Sequence, residues 1–204
     1  MQPTSPTGPL RFKSARGALA ITRTVAAAMF LLGLAVPPAS TQPPRPNEYD
    51  VKATYLLDFG KFIRSSRTSS PRSSFDICTL GRDPMGASLD SLAANSTVGN
   101  LPVRVNHVPD VTSAKSCAIV FISSSEGDRL REDLAILGDA DILTVSDAPG
   151  FLEHGGMIQF VLVSHHVRFA VNLDAVNRAH IVLSSELLRV ASFVSGKTPT
   201  GELP

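Results

Sequence analysis

The sequence lacks several features that would assign a function directly. It has no tryptophan and only two cysteines in 204 residues, which excludes a disulfide-dense mini-protein. It contains no G-x-G-x-x-G segment and no P-loop, so nucleotide binding has no support. The 19 basic and 18 acidic residues nearly balance, so the chain has no basic excess for binding nucleic acid. The apolar fraction of 43% is that of an ordinary globular protein.

No acidic residue precedes Glu48, and the start of the chain therefore differs from the rest. Four basic residues lie within residues 1–24, and an uncharged apolar run of 12 residues, Val25–Val36, follows them. Small residues and prolines come next, which completes the pattern of a secretory signal peptide over residues 1–40. A membrane-spanning helix needs about 20 apolar residues, so the run favours export over an uncleaved anchor or a buried core helix.

Removal of the predicted signal peptide would change the charge of the molecule. Residues 1–40 carry four basic and no acidic side chains, so 15 basic and 18 acidic residues would remain, a formal charge of −3. A proline-rich lead-in at residues 41–48 and a disordered polar tail at residues 195–204 are predicted to flank one domain at residues 49–194.

Helical and strand patterns alternate along that domain. Tyr49–Arg64 has apolar residues at helical spacing, and Phe75–Leu80 predicts a strand. Cys117–Ile122 is a continuous apolar run, typical of a strand buried on both faces. We predict an α/β fold, a single domain with a mixed, mostly parallel sheet, helices on both faces and a C-terminal antiparallel hairpin made by Met157–Val163 and Val167–Leu173. Further helices are predicted at Met85–Ala94, Val111–Lys115, Asp174–Ala179 and Ser185–Val194. Further strands are predicted at Val103–His107 and Ile142–Val145.

The residues that could perform catalysis or bind metal have simpler structural interpretations. Ser123–Ser125 follows a predicted strand, but G-x-S-x-G is absent and helix capping explains these serines. Asp147 lies in a sequence typical of a turn. His165 and His166 are adjacent in a predicted hairpin turn, and with His154 they form no regular metal-ligand spacing. No catalytic residue, metal site or cofactor is therefore predicted.

The two cysteines suggest a disulfide. Cys78 and Cys117 fall in the first and third predicted strands, which are neighbours in many open α/β sheets. In an exported protein an even cysteine count favours a bridge, whereas two buried thiols remain the alternative in a reducing compartment. Closure of a loop of about 40 residues would contribute about 4 kcal/mol to stability in the chain-entropy model.

The order of segments from about residue 49 to 194 resembles the YfiR family of periplasmic proteins. Two positions depart from the usual pattern of that family. An aromatic residue, often Trp-Pro, commonly follows the first helix, where this chain has Arg64–Arg67, and Gln159 replaces a usual asparagine. The segments that carry the resemblance are Val51–Ala53, Phe59–Phe62, Ile77–Pro84, Val120–Ser125, Leu143–Phe151, Gly155–Phe160, Val167–Asp174 and Ser184–Arg189.

The resemblance implies a regulator that is not an enzyme. YfiR-like proteins bind the periplasmic region of an inner-membrane diguanylate cyclase and repress it, which lowers cyclic di-GMP and biofilm growth. The same resemblance implies a periplasmic location, no membrane insertion after signal cleavage, and a redox-linked role for the two cysteines. The first helix also has more apolar surface than one core-facing stripe needs, and Tyr55, Phe59 and Phe62 are candidates for a partner or homodimer surface. A helix buried on both sides within the monomer is the alternative.

Two other classes of function remain as alternatives. The loops Gly81–Pro84, Ser123–Glu126 and Ser146–Phe151 follow parallel strands, so they would meet at the carboxyl edge of the sheet. A crevice there would suit a periplasmic small-molecule-binding module that acts on another receptor, such as a sensor kinase. A hydrolase that uses Ser125 is the third and least supported class.

Overall fold

A computed structural model describes residues 47–65 and 72–196 of the protein. The predicted signal peptide at residues 1–40, the lead-in up to residue 46, residues 66–71 and the tail from residue 197 onward lie outside the described residues. Across the two described ranges, none of the helices has the length and apolarity that crossing a bilayer requires.

The described chain contains helices and strands in alternation. The α-helices are α1 Glu48–Phe62, α2 Gly86–Ala93, α3 Leu130–Leu137, α4 Leu173–Arg178 and α5 Ser185–Val190. Two 3₁₀ helices are formed by Val111–Ser116 and Ser124–Arg129. The strands are β1 Ile63–Ser65, β2 Phe75–Leu80, β3 Thr97–Val98, β4 Leu101–Val108, β5 Ile119–Ile122, β6 Leu143–Ser146, β7 Ile158–Val163, β8 His166–Asn172, β9 Ile181–Leu183 and β10 Phe193–Ser195.

Eight strands form one sheet in the order β10-β8-β7-β6-β5-β2-β4-β3. The pairs from β4 across to β7 are parallel, and β7 and β8 form an antiparallel hairpin. The mixed, mostly parallel sheet with a C-terminal hairpin is therefore confirmed. The strand order reverses between β2 and β5, which is the position where open α/β sheets usually hold their ligands.

Both faces of the sheet are covered, as predicted. In β5, Ile119 and Phe121 point into the larger apolar core beneath α1 and α2. Val120 and Ile122 alternate with them and point into a second core beneath α3 and the first 3₁₀ helix. Burial on both sides explains the continuous apolar run of this strand.

Helix α1 begins and ends for local reasons. The side chain of Asn47 accepts a hydrogen bond from the backbone N–H of Tyr49, and Asp50 completes a capping box. At the other end the backbone becomes extended at Ile63. Residues 63–65 then form β1, which pairs antiparallel with β9 in a separate two-stranded sheet, so the predicted helix over Tyr49–Arg64 is two residues too long.

The last predicted helix, Ser185–Val194, is wrong in its second half. Ser184 caps α5, with its hydroxyl accepting from Leu187 N at 3.3 Å. The helix stops at Val190, because Ser192 N donates to Phe169 O of β8 at 2.8 Å and the next three residues form β10 at the sheet edge.

The hairpin turn is shorter than predicted. Only Ser164 and His165 form it, with φ angles of 49° and 63°, as a two-residue type I′ turn requires. His166 already belongs to β8 and pairs with Val163.

Candidate functional site

The three loops predicted to meet at the carboxyl edge of the sheet do meet there. Ser124 N donates to Asp147 Oδ1 at 3.1 Å, which joins the loop after β5 to the loop after β6. Ser125 Oγ accepts a hydrogen bond from Arg82 N at 2.9 Å. A Cβ atom added to Gly81 would lie 2.7 Å from the side chain of Glu126. Side chains of the chain itself therefore occupy the space between β2 and β5, where the crevice of the small-molecule alternative was expected.

A buried ion pair lies beside these loops. Lys52 on α1 is only 4% exposed, and its Nζ lies 2.9 Å from Asp147 Oδ2 and 2.7 Å from Glu48 Oε1. The same Nζ lies 4.7 Å from the centre of the Tyr49 ring. Burial lowers the pKa of Lys52, but hydrogen bonds and charges from Glu48 and Asp147 outweigh burial and hold the pKa above its ordinary value of 10.5. The contact with Asp147 links α1 to the loop that follows β6.

A polar cluster beside the loop after β2 resembles a catalytic triad, but its hydroxyl group is not accessible. His107 Nδ1 lies 2.8 Å from Thr79 Oγ1, and its Nε2 lies 3.2 Å from Asp90 Oδ1. Asp83 Oδ2 lies 3.1 Å from the same Nδ1. Thr79 is buried within β2 at 2% exposure, so its hydroxyl is out of reach of a substrate. The described part of the chain also contains no cluster of three or more His, Cys, Asp or Glu that could hold a metal ion.

The two cysteines form a disulfide in the structure. Cys78 lies in β2, and Cys117 lies at the end of the first 3₁₀ helix, just before β5. Their Cα atoms are 6.0 Å apart, and both residues are buried. The bridge joins β2 to the segment that leads into the neighbouring strand β5, on the face covered by α3.

The β7–β8 hairpin extends beyond the rest of the sheet. The last pair that joins β6 to β7 is Ser146 with Gln159, whereas β7 continues for four residues to Val163. Four residues of strand correspond to about 13 Å. We refer to residues 160–168 as the hairpin arm.

A groove of about 820 Å³ separates the hairpin arm from the N-terminal half of α1. It has apolar residues from both elements and charged or imidazole side chains around them. Its lining consists of Glu48, Val51, Tyr55, Leu162, His165, His166, Val167 and Arg168.

Comparison with protein families decides the family of this chain. A family model described as YfiR/HmsC-like matches residues 49–192, which is nearly all of the described domain. The chain belongs to the YfiR/HmsC-like family. The resemblance stated from the sequence is thereby confirmed.

Solved structures support the fold of this YfiR/HmsC-like chain. A conserved domain protein from Vibrio cholerae is 9% identical, with a TM-score of 0.50 over 72% of this chain and 60% of that chain. The ABC domain from Streptococcus pneumonia, solved in complex with L-Trp, is 13% identical, with a TM-score of 0.52 over 70% of this chain and 60% of that chain. The chain thus spans 60% of each of these proteins, and at such low identity the likeness concerns the fold alone. No curated protein matches the chain.

The structure separates the three aromatic residues predicted as a partner surface of this YfiR-like protein. Phe59 is 1% exposed and packs against Phe160 and Phe169 at ring distances of 5.9 and 5.1 Å. The interpretation of Phe59 as a surface residue is therefore corrected, because the hairpin covers its side of α1. Tyr55 and Phe62 are half-buried, and Tyr55 lines the groove.

Apolar residues missed by sequence reasoning are more exposed than these aromatics. Leu162 and Val163 near the tip of the hairpin arm are 58% and 49% exposed. Phe193 in β10 is 60% exposed at the edge of the sheet. The sequence predicted a strand over Met157–Val163, but it could not show that the short β6 leaves the end of that strand uncovered.

Proposed function

We propose that this protein is a periplasmic repressor that binds the periplasmic region of an inner-membrane diguanylate cyclase and thereby lowers cyclic di-GMP synthesis. The observation that carries the proposal is the YfiR/HmsC-like match over residues 49–192. The closed carboxyl edge and the buried Thr79 hydroxyl are compatible with a protein that acts by binding rather than by catalysis.

Export is part of this proposal. Residues 1–40 would direct the chain to the periplasm, and the Cys78–Cys117 disulfide fits an oxidising compartment of that kind. Two free thiols in the natively exported protein, measured by alkylation and mass spectrometry, would contradict this part of the proposal.

Repression by binding requires different affinities for two states of the cyclase. A partner shifts a conformational equilibrium only by the difference between its binding free energies for the two states. The repressor must therefore bind the inactive state more tightly, and a tenfold preference corresponds to about 1.4 kcal/mol.

A deletion experiment tests the proposed function. Deletion of the gene should raise cellular cyclic di-GMP, and the rise should disappear in a strain whose cyclase has an inactivated catalytic site. The full-length exported protein should also copurify with that cyclase from a membrane extract. Unchanged cyclic di-GMP together with no cyclase in the purified material would refute the proposal, and a sensor kinase in its place would support the alternative receptor.

A further inference from the structure

The apolar face of the hairpin arm continues outward from the core. Phe160 and Phe169 are cross-strand partners, and both rings pack near Tyr55 at 6.2 and 5.6 Å. Leu162 and Val167 form the pair two residues farther along, so they lie on the same face of the ribbon. The aromatic core thus ends at Tyr55, and the apolar surface continues into the groove with Leu162 mostly uncovered.

The cationic side chain of the groove lies on the hairpin arm. Arg168 is exposed, and none of the ion pairs observed between described residues uses it. His165 and His166 lie on the same side of the groove, at the tip of the arm. Glu48 is the one acidic residue of the groove lining, and it is already paired with Lys52 at 2.7 Å. Asp147 shares the same ammonium group, so the acidic side of the groove is only partly neutralised. An occupant with a carboxylate would therefore find its partner at the unpaired guanidinium of Arg168, on the hairpin arm.

The size of the groove also limits its occupant. A volume of about 820 Å³ exceeds that of any single side chain, so the groove has room for more than one side chain of an occupant. Tyrosine and arginine are enriched in the energetic centres of protein interfaces, and Tyr55 and Arg168 both line the groove beside the exposed Leu162.

We propose that the groove between α1 and the hairpin arm binds a segment of the cyclase's periplasmic region that presents an apolar side chain next to a carboxylate. The apolar side chain packs against Tyr55, Leu162 and Val167, and the carboxylate accepts hydrogen bonds from Arg168. The inference rests on the proposed function, since it identifies the surface of this chain that contacts the cyclase.

Charge and apolar substitutions in the groove test the proposal. The purified full-length exported protein is titrated onto membranes that contain the full-length cyclase. Leu162→Asp and Arg168→Glu should each weaken binding by at least about tenfold, because both change exposed residues at the centre of the contact. Arg168→Glu should also reduce the salt dependence of binding. Circular dichroism melting confirms that the variants remain folded.

Two matched controls carry the same changes elsewhere on the surface. Leu92→Asp alters an exposed leucine on α2, and Arg104→Glu alters an exposed arginine on β4, near the opposite edge of the sheet. Both controls should bind within about twofold of the unmodified protein, because surface changes outside a contact have little effect on affinity.

The outcomes separate this inference from the proposed function. If the unmodified protein binds the cyclase and both groove variants bind equally well, the docking surface lies elsewhere and only the groove proposal is overturned. If the controls lose affinity as much as the groove variants, the effect is general and the groove proposal is again overturned. If the unmodified protein does not bind cyclase-containing membranes, the proposed function is refuted, and the groove proposal that rests on it is refuted with it.

Discussion

Replacement of Lys52 by methionine is the sharpest test of how this fold is held together. Methionine has a similar length and apolar stem but cannot pair with a carboxylate. In the structure the ammonium group contacts Asp147 on one side and Glu48 on the other. The substitution removes both ion pairs at once and leaves the two acids in place.

The expected loss follows from how deeply each acid is buried. The side chain of Asp147 is 9% exposed, so without Lys52 it would keep one backbone hydrogen bond, from Ser124, and little contact with solvent. Glu48 is 36% exposed and can rehydrate. Removal of one partner from a buried ion pair costs about 3–5 kcal/mol, and the solvent access of Glu48 favours the lower end, about 3 kcal/mol. For a domain of this size that corresponds to a Tm lower by about 6–12 °C.

The assay is urea unfolding followed by circular dichroism, with Lys61→Met as the matched control on the same helix. Lys61 pairs with Asp58 at the surface, where both side chains are more than 40% exposed, so its loss should cost less than about 1 kcal/mol. The double variant Lys52→Met with Asp147→Asn should recover part of the loss, because no buried charge then remains unpaired.

The direction of the pKa shift of Lys52 determines the pH range in which its ion pairs stabilise the folded protein. The folded protein holds the pKa of Lys52 above 10.5, so the ion pairs stabilise fully below that ordinary value and are lost as the pH rises through the folded pKa. The difference between the unmodified protein and Lys52→Met should therefore stay constant from about pH 6 to 9. If Lys52→Met costs no more than Lys61→Met over that range, the pair does not hold α1 in place and the reasoning is refuted.

Three further perturbations follow from single features of the structure. Asp133 is buried, neither carboxylate oxygen accepts a hydrogen bond from the described residues, and burial raises its pKa above 3.8. Stability should therefore fall as the pH rises above that value. Asp133→Leu should raise the free energy of unfolding by about 1–3 kcal/mol at pH 7 and by less in acid. An equal gain at both pH values would contradict this explanation. Replacement of both cysteines by alanine should cost about 4 kcal/mol in denaturant unfolding, and no change would show that the bridge does not constrain the unfolded chain. Gly156→Ala would place a Cβ atom against the Phe151 ring and should cost about 1–3 kcal/mol, whereas Gly127→Ala has open space and should be nearly neutral by the same assay.

The central strands could be predicted because burial on both faces leaves a simple pattern in the sequence. A strand covered on both faces needs apolar residues at every position, and residues 119–122 meet that condition without help from context. Strand β10 was missed because Phe193 and Val194 follow a helix whose apolar spacing they continue. Only the free edge of β8 decides that they form a strand, and that edge is a feature of the tertiary structure.

The candidate site illustrates the same limit. Lys52 and Asp147 both lie in segments that resemble the family, but 95 positions separate them, and no local pattern indicates that they pair. The periodicity of α1 correctly indicated a second apolar face. The same periodicity could not show that the hairpin covers Phe59 and leaves Tyr55 at the border of the aromatic core, because that depends on where β7 and β8 lie.

The carboxyl edge of the sheet is filled by side chains at one point and open beside the hairpin arm at another. Open α/β sheets usually bind ligands beyond the carboxyl ends of their strands, at the point where the strand order reverses. Here Ser125 and Glu126 cover Gly81 at that point, and Lys52 is paired with Asp147 beside it. The same edge is extended on one side by the hairpin arm, whose apolar face lies open next to α1. The groove that the described residues leave open therefore lies beside these loops, between a helix and the end of a hairpin, and proteins commonly bind a segment of a partner at helix grooves and at exposed strands.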